Sequence, residues 1–136
     1  LSIVITNQPA IAKGIITKKK FEKDLILFST ILGKKNVYLD RVYFCPHHPD
    51  VGFKNEKAKY KIICNCRKPN NGLFLKAISE LNIDTNRSFM IGDRNTDYEA
   101  AIKTKIKFIG LGKKNFNHPY IVTKKNLLQA VKTIIS

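Results

Sequence analysis

"FMIGDRNTDYEAAIKTKIKFIGL", residues 89–111, is the stretch that decides the fold. Its first residues extend the apolar run "SFMIG" (88–92), which reads as a buried strand. "NTDYEAAIKT" (95–104) starts a helix, and "KFIGL" (107–111) returns to strand. Strands alternating with helices of this length point to a parallel α/β sheet with helices on both faces.

Working outward, the same alternation covers the rest of the 136 residues. "LSIVITN" (1–7) suits a buried parallel strand ending in a polar turn. Thr17 can cap a helix whose Phe21, Leu25, Phe28 and Leu32 share one face before Gly33 stops it. "VYLDRVYF" (37–44) reads as a strand, and Leu73, Leu75, Ala77, Ile78 and Leu81 give a helix of about three turns after Gly72. Residues 123–135, with Leu127, Leu128, Val131 and Ile134, close the chain as an amphipathic helix. No repeat or low-complexity linker interrupts this pattern, and the length suits one domain with a single core.

Ligands of such sheets sit beyond the carboxyl ends of the strands. Four segments qualify: "TNQ" (6–8), "CPHH" (45–48), "GDRNTD" (92–97) and "GLGKK" (110–114). Thr6, Asn7 and Gln8 offer a hydroxyl and two amides, all good partners for phosphate oxygens. Asp93 directly follows a strand and can hold a hard cation such as Mg²⁺, which takes oxygen ligands. Asp97, four residues on, is placed either to orient loop groups or to cap the helix. Arg67 and Lys68 add a bidentate and a compact cation in an otherwise neutral turn. Each of these has a plainer reading as turn chemistry or surface charge, and it is their coincidence at separate strand ends that singles them out.

All three cysteines of the chain lie between residues 45 and 66. Cys45, His47, Cys64 and Cys66 read as Cys-x-His, a sixteen-residue gap, then Cys-x-Cys. Three thiolates and one imidazole fit a closed tetrahedral Zn²⁺ site, whose role is structural because no position is left for water. A disulfide framework fits poorly, since three cysteines leave one odd; three incidental thiols are the remaining alternative. Neighbours in extended chain point to opposite sides, so His47 falls in step with Cys45, and His48 becomes a neighbour. His118, before Pro119, reads as a surface histidine.

Lys and Arg number 25 against 10 Asp and Glu, a net charge of +15. The lysines are scattered without an aromatic-interleaved stripe, so they read as a solvated surface, with a polyanion site as the lesser alternative. No apolar run approaches ~18 residues, and the first residues lack the basic and long apolar parts of a signal peptide. No membrane partner is expected, and a cytoplasmic location is.

These motifs together resemble the haloacid-dehalogenase-type phosphatases, and among them the heptose bisphosphate phosphatase and histidinol-phosphatase group. The resemblance rests on "IVITNQPAIAKG" (3–14), "VYFCPHHPD" (42–50), "CNCRKPNNG" (64–72) and "FMIGDRNTDYEAA" (89–101). The long insert between His47 and Cys64 resembles the heptose enzymes more than the histidinol-phosphatases. The resemblance implies a three-layer Rossmann-like sheet with a zinc-binding loop. It also implies a Mg²⁺-dependent phosphomonoesterase acting on a small sugar phosphate, foremost D-glycero-D-manno-heptose 1,7-bisphosphate, through an aspartyl-phosphate. Histidinol phosphate is the alternative substrate, and a non-catalytic zinc-containing nucleic-acid-binding or scaffold protein is the alternative class.

By the same resemblance Thr6 hydrogen-bonds the transferring phosphoryl group, and Asn7, Gln8, Arg67 and Arg94 contact substrate. Lys68 neutralises phosphoryl charge and steadies the nucleophile, Asp93 is the Mg²⁺ ligand, and Cys45, His47, Cys64 and Cys66 bind Zn²⁺. Pro9, Ala10 and Lys13 depart from the Ser, Gly and Arg usual in the family. The family's Asp-x-Asp, which supplies nucleophile and general acid/base, does not occur in these residues. Residues 1–136 are therefore expected to be the carboxy-terminal part of one phosphatase domain that lacks its first, central strand, whose loss would split the sheet. The zinc loop spans 45–66. The missing segment or a fused domain is the expected partner, and the 136 residues alone are expected to be inactive.

Overall fold

The computed structural model describes residues 1–112, 116 and 118–136, and the chain divides into two compact units, Leu1–Arg67 and Lys68–Ser136. In the first unit β1 (Ile3–Asn7) pairs in parallel with β2 (Arg41–Cys45), so that Asn7 lies opposite Cys45. Two helices connect them. Pro9 opens the short α1 (Pro9–Ala12), where its missing N–H costs nothing. Thr17 caps α2 (Lys18–Gly33) by accepting the Lys20 N–H at 3.0 Å, as its sequence position implies.

The first turns of α2 pack most closely. Phe21 is buried, edge-on to Phe44 of β2 at 4.7 Å. Leu25 and Leu32 are half-buried, while Phe28 is exposed together with Ile26, Leu27 and Ile31. The expected inward face thus holds at its start and fades along the helix. β1 is likewise half-buried at all five positions rather than fully buried.

β2 begins four residues later than the apolar pattern implies and takes in Cys45. Asn36 turns the chain with φ 56°, and the Val37 N–H reaches back to the Leu32 carbonyl at 3.1 Å. Asp40 then closes on Ser2 twice, its N–H to the Ser2 carbonyl at 2.8 Å and its carboxylate to the Ser2 N–H at 2.6 Å. Residues 37–40 are consumed by this return, and pairing starts only after it. Between β2 and Arg67 the regular structure is a single 3₁₀ turn, Ala58–Tyr60.

The second unit holds β3 (Phe89–Gly92), β4 (Lys107–Leu111) and β5 (Thr123–Lys124), all parallel and ordered β3-β4-β5. The described strands therefore lie in two sheets. Helix α3 (Gly72–Leu81) buries Leu73, Phe74 and Ala77, whereas Leu75 is half exposed. Phe74 displaces Leu75 from the expected face because the aromatic ring removes more apolar surface from water. α4 (Asn95–Ile102) lies against β3 and β4, with Ala100 and Ala101 wholly buried. The closing helix α5 (Leu127–Ile135) starts later than its pattern implies. β4 captures the residues before it, through Gly110 N–H to Val122 O at 2.9 Å and Gly112 N–H to Lys124 O at 2.8 Å. Asn126 then caps α5 by accepting the Gln129 N–H at 3.0 Å. Among the described residues no helix is long and apolar enough to cross a membrane.

Candidate functional site

In the first unit the polar groups gather where β1 and β2 end. Gln8 donates its side-chain amide to the Thr6 hydroxyl at 3.1 Å, and its backbone N–H to the Cys45 carbonyl at 2.8 Å. Thr6, Asn7 and Gln8 are all half-buried. The turn that β1 presents is thereby tied to a wholly buried cysteine on the neighbouring strand.

Cys45, His47, Cys64 and Cys66 converge, with their ligand atoms all within 4.8 Å of one another. Cys66 Sγ lies 2.9 Å from Cys45 Sγ and 3.2 Å from Cys64 Sγ, and His47 Nδ1 lies 3.2 Å from Cys66 Sγ. Four N and S donors in that span suit one tetrahedral Zn²⁺, whose ligand distances are ~2.0–2.3 Å. Without the ion, burial and the neighbouring Cys66 thiol push the Cys45 pKa far above the ordinary thiol range. Burial also raises Cys66. Burial acts against ionisation of Cys64 too, but hydrogen bonds from Cys66 and Cys45 outweigh it and hold its pKa low. Such a cluster carries its first negative charge readily and resists the next, so a cation at its centre relieves it.

His47, rather than His48, joins the cluster, as the alternation along extended chain implies. His48 is buried and turned the other way, its ring edge-on to Phe53 at 6.0 Å and its Nε2 3.6 Å from the Asp50 carboxylate. Burial, with the Arg67 charge adding to it, lowers the His48 pKa. Arg67 Nη1 donates to the His47 carbonyl at 3.2 Å. Two of the four metal-compatible residues thus use their carbonyls to hold Gln8 and Arg67, both candidates for substrate contact.

In the second unit one carboxylate does the holding. Lys68 and Asp97 are both buried and pair at 2.7 Å. The other Asp97 oxygen accepts the backbone N–H groups of Asp93 at 3.2 Å and Arg94 at 3.1 Å. Gly92 permits this approach, because a Cβ there would lie 2.5 Å from the Asp97 Cβ. The Asp93 and Arg94 side chains are exposed. Asp93 offers one carboxylate at a strand end, in keeping with an ion such as Mg²⁺ that keeps few protein ligands. Lys103 adds a bond to the Pro69 carbonyl at 2.8 Å, beside Lys68 in sequence.

Asp97 is the residue that sequence reasoning left outside the site. Its signal was present, an acid four residues after Asp93 in the first turn of α4, but that pattern equally suits a simple cap. Of the four strand-end segments, Lys113 and Lys114 of "GLGKK" lie outside the described residues. His118 is exposed, with its ring beside Tyr98 and Tyr120.

Comparison with known proteins follows the same lines. The HAD-hydrolase-like family model matches residues 65–123. The chain is similar to D-glycero-beta-D-manno-heptose-1,7-bisphosphate 7-phosphatase of Photorhabdus laumondii, 42% identical over 104 residues, which are 76% of this chain and 53% of that protein. The same-named protein of Pasteurella multocida is 41% identical over 107 residues, 79% of this chain and 55% of its own. The chain therefore spans about half the length of the curated relatives it matches. Among solved structures, a D,D-heptose 1,7-bisphosphate phosphatase from B. bronchiseptica, complexed with magnesium and phosphate, shares the fold. It matches with TM-score 0.79 at 18% identity, covering 98% of this chain and 73% of that one.

Proposed function

We propose, from the match of residues 65–123 to the HAD-hydrolase-like family model and the likeness to heptose bisphosphate phosphatases, that this chain forms part of a Mg²⁺-dependent phosphatase acting on D-glycero-D-manno-heptose 1,7-bisphosphate. The observation that carries this reading is the buried Lys68–Asp97 pair. One carboxylate fixes a cation and, through two N–H bonds, the turn bearing Asp93 and Arg94. Preorganised charge of this kind is what phosphoryl transfer requires, since its barrier is lowered by positioning and electrostatics.

In this reading Thr6 donates its hydroxyl to a phosphoryl oxygen, and Asn7 and Gln8 orient the substrate. Lys68 neutralises charge on the transferring group, while Arg67 and Arg94 contact the rest of the substrate. Asp93 would hold Mg²⁺, which when bound supplies positive charge against the phosphoryl oxygens. Cys45, His47, Cys64 and Cys66 would hold Zn²⁺ as a brace. In this reading the attacking and proton-transferring aspartates would be supplied by an Asp-x-Asp motif from beyond these 136 residues. A carboxylate of that motif attacks phosphorus, the sugar oxygen leaves with a proton, and water cleaves the aspartyl-phosphate. We place the enzyme in the cytoplasm, where reduced thiols suit a thiolate-rich metal site.

The test uses the full-length protein carrying this chain, with heptose 1,7-bisphosphate and histidinol phosphate as substrates. Phosphate release is expected to need Mg²⁺, to favour the heptose by a wide margin, and to fall by at least about a hundredfold in Lys68→Ala. Preference for histidinol phosphate would move the assignment within the family. Release from neither compound would sink the phosphatase reading.

A further inference from the structure

One helix grips the Lys68 turn twice. From its first turn α4 reaches Lys68 itself, where the Asp97 carboxylate meets the ammonium at 2.7 Å. From its other end Lys103, the residue that closes α4, donates its ammonium to the Pro69 carbonyl at 2.8 Å. The two gripping residues lie about 9 Å apart along the helix axis. The first contact fixes the head of the Lys68 side chain. The second fixes the main chain from which that side chain springs.

Nothing along α4 dictates the second contact. Glu99, one turn before Lys103, is the partner that helical spacing offers, yet among the described residues the two make no ion pair. Pro69 has no N–H, so its carbonyl is the main-chain group through which it can be held. α3 begins three residues later, and Asn71 gives it no side-chain cap.

The base of Lys103 is firm. The carbonyl of Ala101, a wholly buried residue, accepts the Thr104 N–H at 3.0 Å, the Thr104 hydroxyl at 2.8 Å and the Ile106 N–H at 3.1 Å. Thr104 and Ile106 are buried as well, and Lys105 between them turns the chain with φ 59°. Buried neighbours on both sides therefore set where the Lys103 stem starts. The carbonyls at a helix C-terminus favour a cation there, and a charged donor strengthens its bond to a neutral acceptor. A charge that serves phosphoryl transfer has to be held within about 0.5 Å of its productive place. A side chain as flexible as lysine meets that demand only if its main chain is fixed too.

We propose that Lys103 is a positioning residue for Lys68: by holding the Pro69 carbonyl it sets the main chain at Lys68, so that the Lys68 ammonium stands where the transferring phosphoryl group needs it. The inference rests on the phosphatase reading and gives Lys103 no contact with substrate.

The test uses the full-length protein as Lys103→Met, Lys103→Arg, Lys68→Ala and the double variant Lys68→Ala with Lys103→Met, assayed on heptose 1,7-bisphosphate. Lys103→Met is expected to lower kcat about tenfold, with Tm retained because the residue is exposed, and Lys103→Arg to restore most of it. Acting only through Lys68, the Met substitution should cost nothing further once Lys68 is Ala, whereas a merely structural contact costs the same factor in both backgrounds. A second measurement needs no turnover. The buried Lys68 ammonium should give a side-chain signal in heteronuclear NMR that Lys68→Ala removes, shifted or broadened in Lys103→Met and native in Lys103→Arg. Undiminished kcat in Lys103→Met, an equal loss in both backgrounds, or loss of the fold overturns the proposal. If the wild type releases no phosphate, the phosphatase reading fails, and the ammonium signal still decides whether Lys103 positions Lys68. An unchanged signal in Lys103→Met says that it does not.

Discussion

Polar groups are held at strand ends in both units, by opposite means. In Leu1–Arg67 the carbonyls of Cys45 and His47 hold Gln8 and Arg67, and those carbonyls belong to residues gathered for a metal. In Lys68–Ser136 the Asp97 side chain holds Lys68, Asp93 and Arg94 directly, inside the protein. A metal at that cluster could be removed reversibly, and its loss would reach Gln8 and Arg67 through the main chain. A buried ion pair has no such reversible step; removing one partner leaves the other charge buried without its counter-charge.

The largest test of this contrast is the metal. The purified protein should carry about one equivalent of zinc, and Cys64→Ser should lose it together with the order of residues 45–67. Structural zinc contributes on the order of 10 kcal/mol in small thiolate sites. Hydrogen exchange should then speed up at Gln8, whose N–H bonds the Cys45 carbonyl, and not at Asp93. A Cys64→Ser protein that keeps its metal has other ligands.

Next in size is Asp97→Ala, expected to cost about 3–5 kcal/mol in urea unfolding because the buried Lys68 loses the carboxylate that faces it at 2.7 Å. A loss below about 1 kcal/mol would mean that Lys68 finds solvent or another acceptor, and the contrast with the metal-braced unit would dissolve. Smaller again is Gly14→Ala, at about 2 kcal/mol, from a left-handed backbone and the Asn55 carbonyl that the new Cβ must displace. If the variant is as stable as the wild type, the insert is not seated on the α1 turn.

The smallest effect is a pH slope. With no metal, Cys45 and Cys66 have raised pKa values and stay protonated through neutral pH, so zinc must displace their protons. Acid favours the protonated, metal-free form, and zinc affinity should therefore rise with pH, by about tenfold per unit for each proton displaced. Competition titrations between roughly pH 6 and 8 read this slope. A flat profile would mean the thiols are already ionised before the metal arrives.

Much of this was legible along the chain because it is local. Thr17 as a cap, Gly72 to Leu81 as a helix, and parallel strands at 3–7, 89–92 and 107–111 follow from residue spacing within a turn or two. The choice of His47 over His48 followed from the two-residue alternation of extended chain. The later start of β2 was not legible, since Asp40 meets Ser2 thirty-eight residues away in sequence. Nor was β5, whose two residues are recruited by the exposed bonds of β4 and not by any apolar pattern of their own.

The sequence by itself determined the α/β alternation, the metal-compatible spacing of three thiols and one imidazole, and which strand ends carry polar side chains. These depend on near neighbours and on the intrinsic chemistry of each side chain. Only the tertiary structure decided that Asp97 gathers Lys68, Asp93 and Arg94, that Cys45 holds Gln8, and that Lys13 rests on Phe53. Each of those is a contact between residues whose proximity depends on how whole elements pack. A side chain's neighbours across a fold are set by the sum of many weak burials, and no periodicity along the chain encodes that sum.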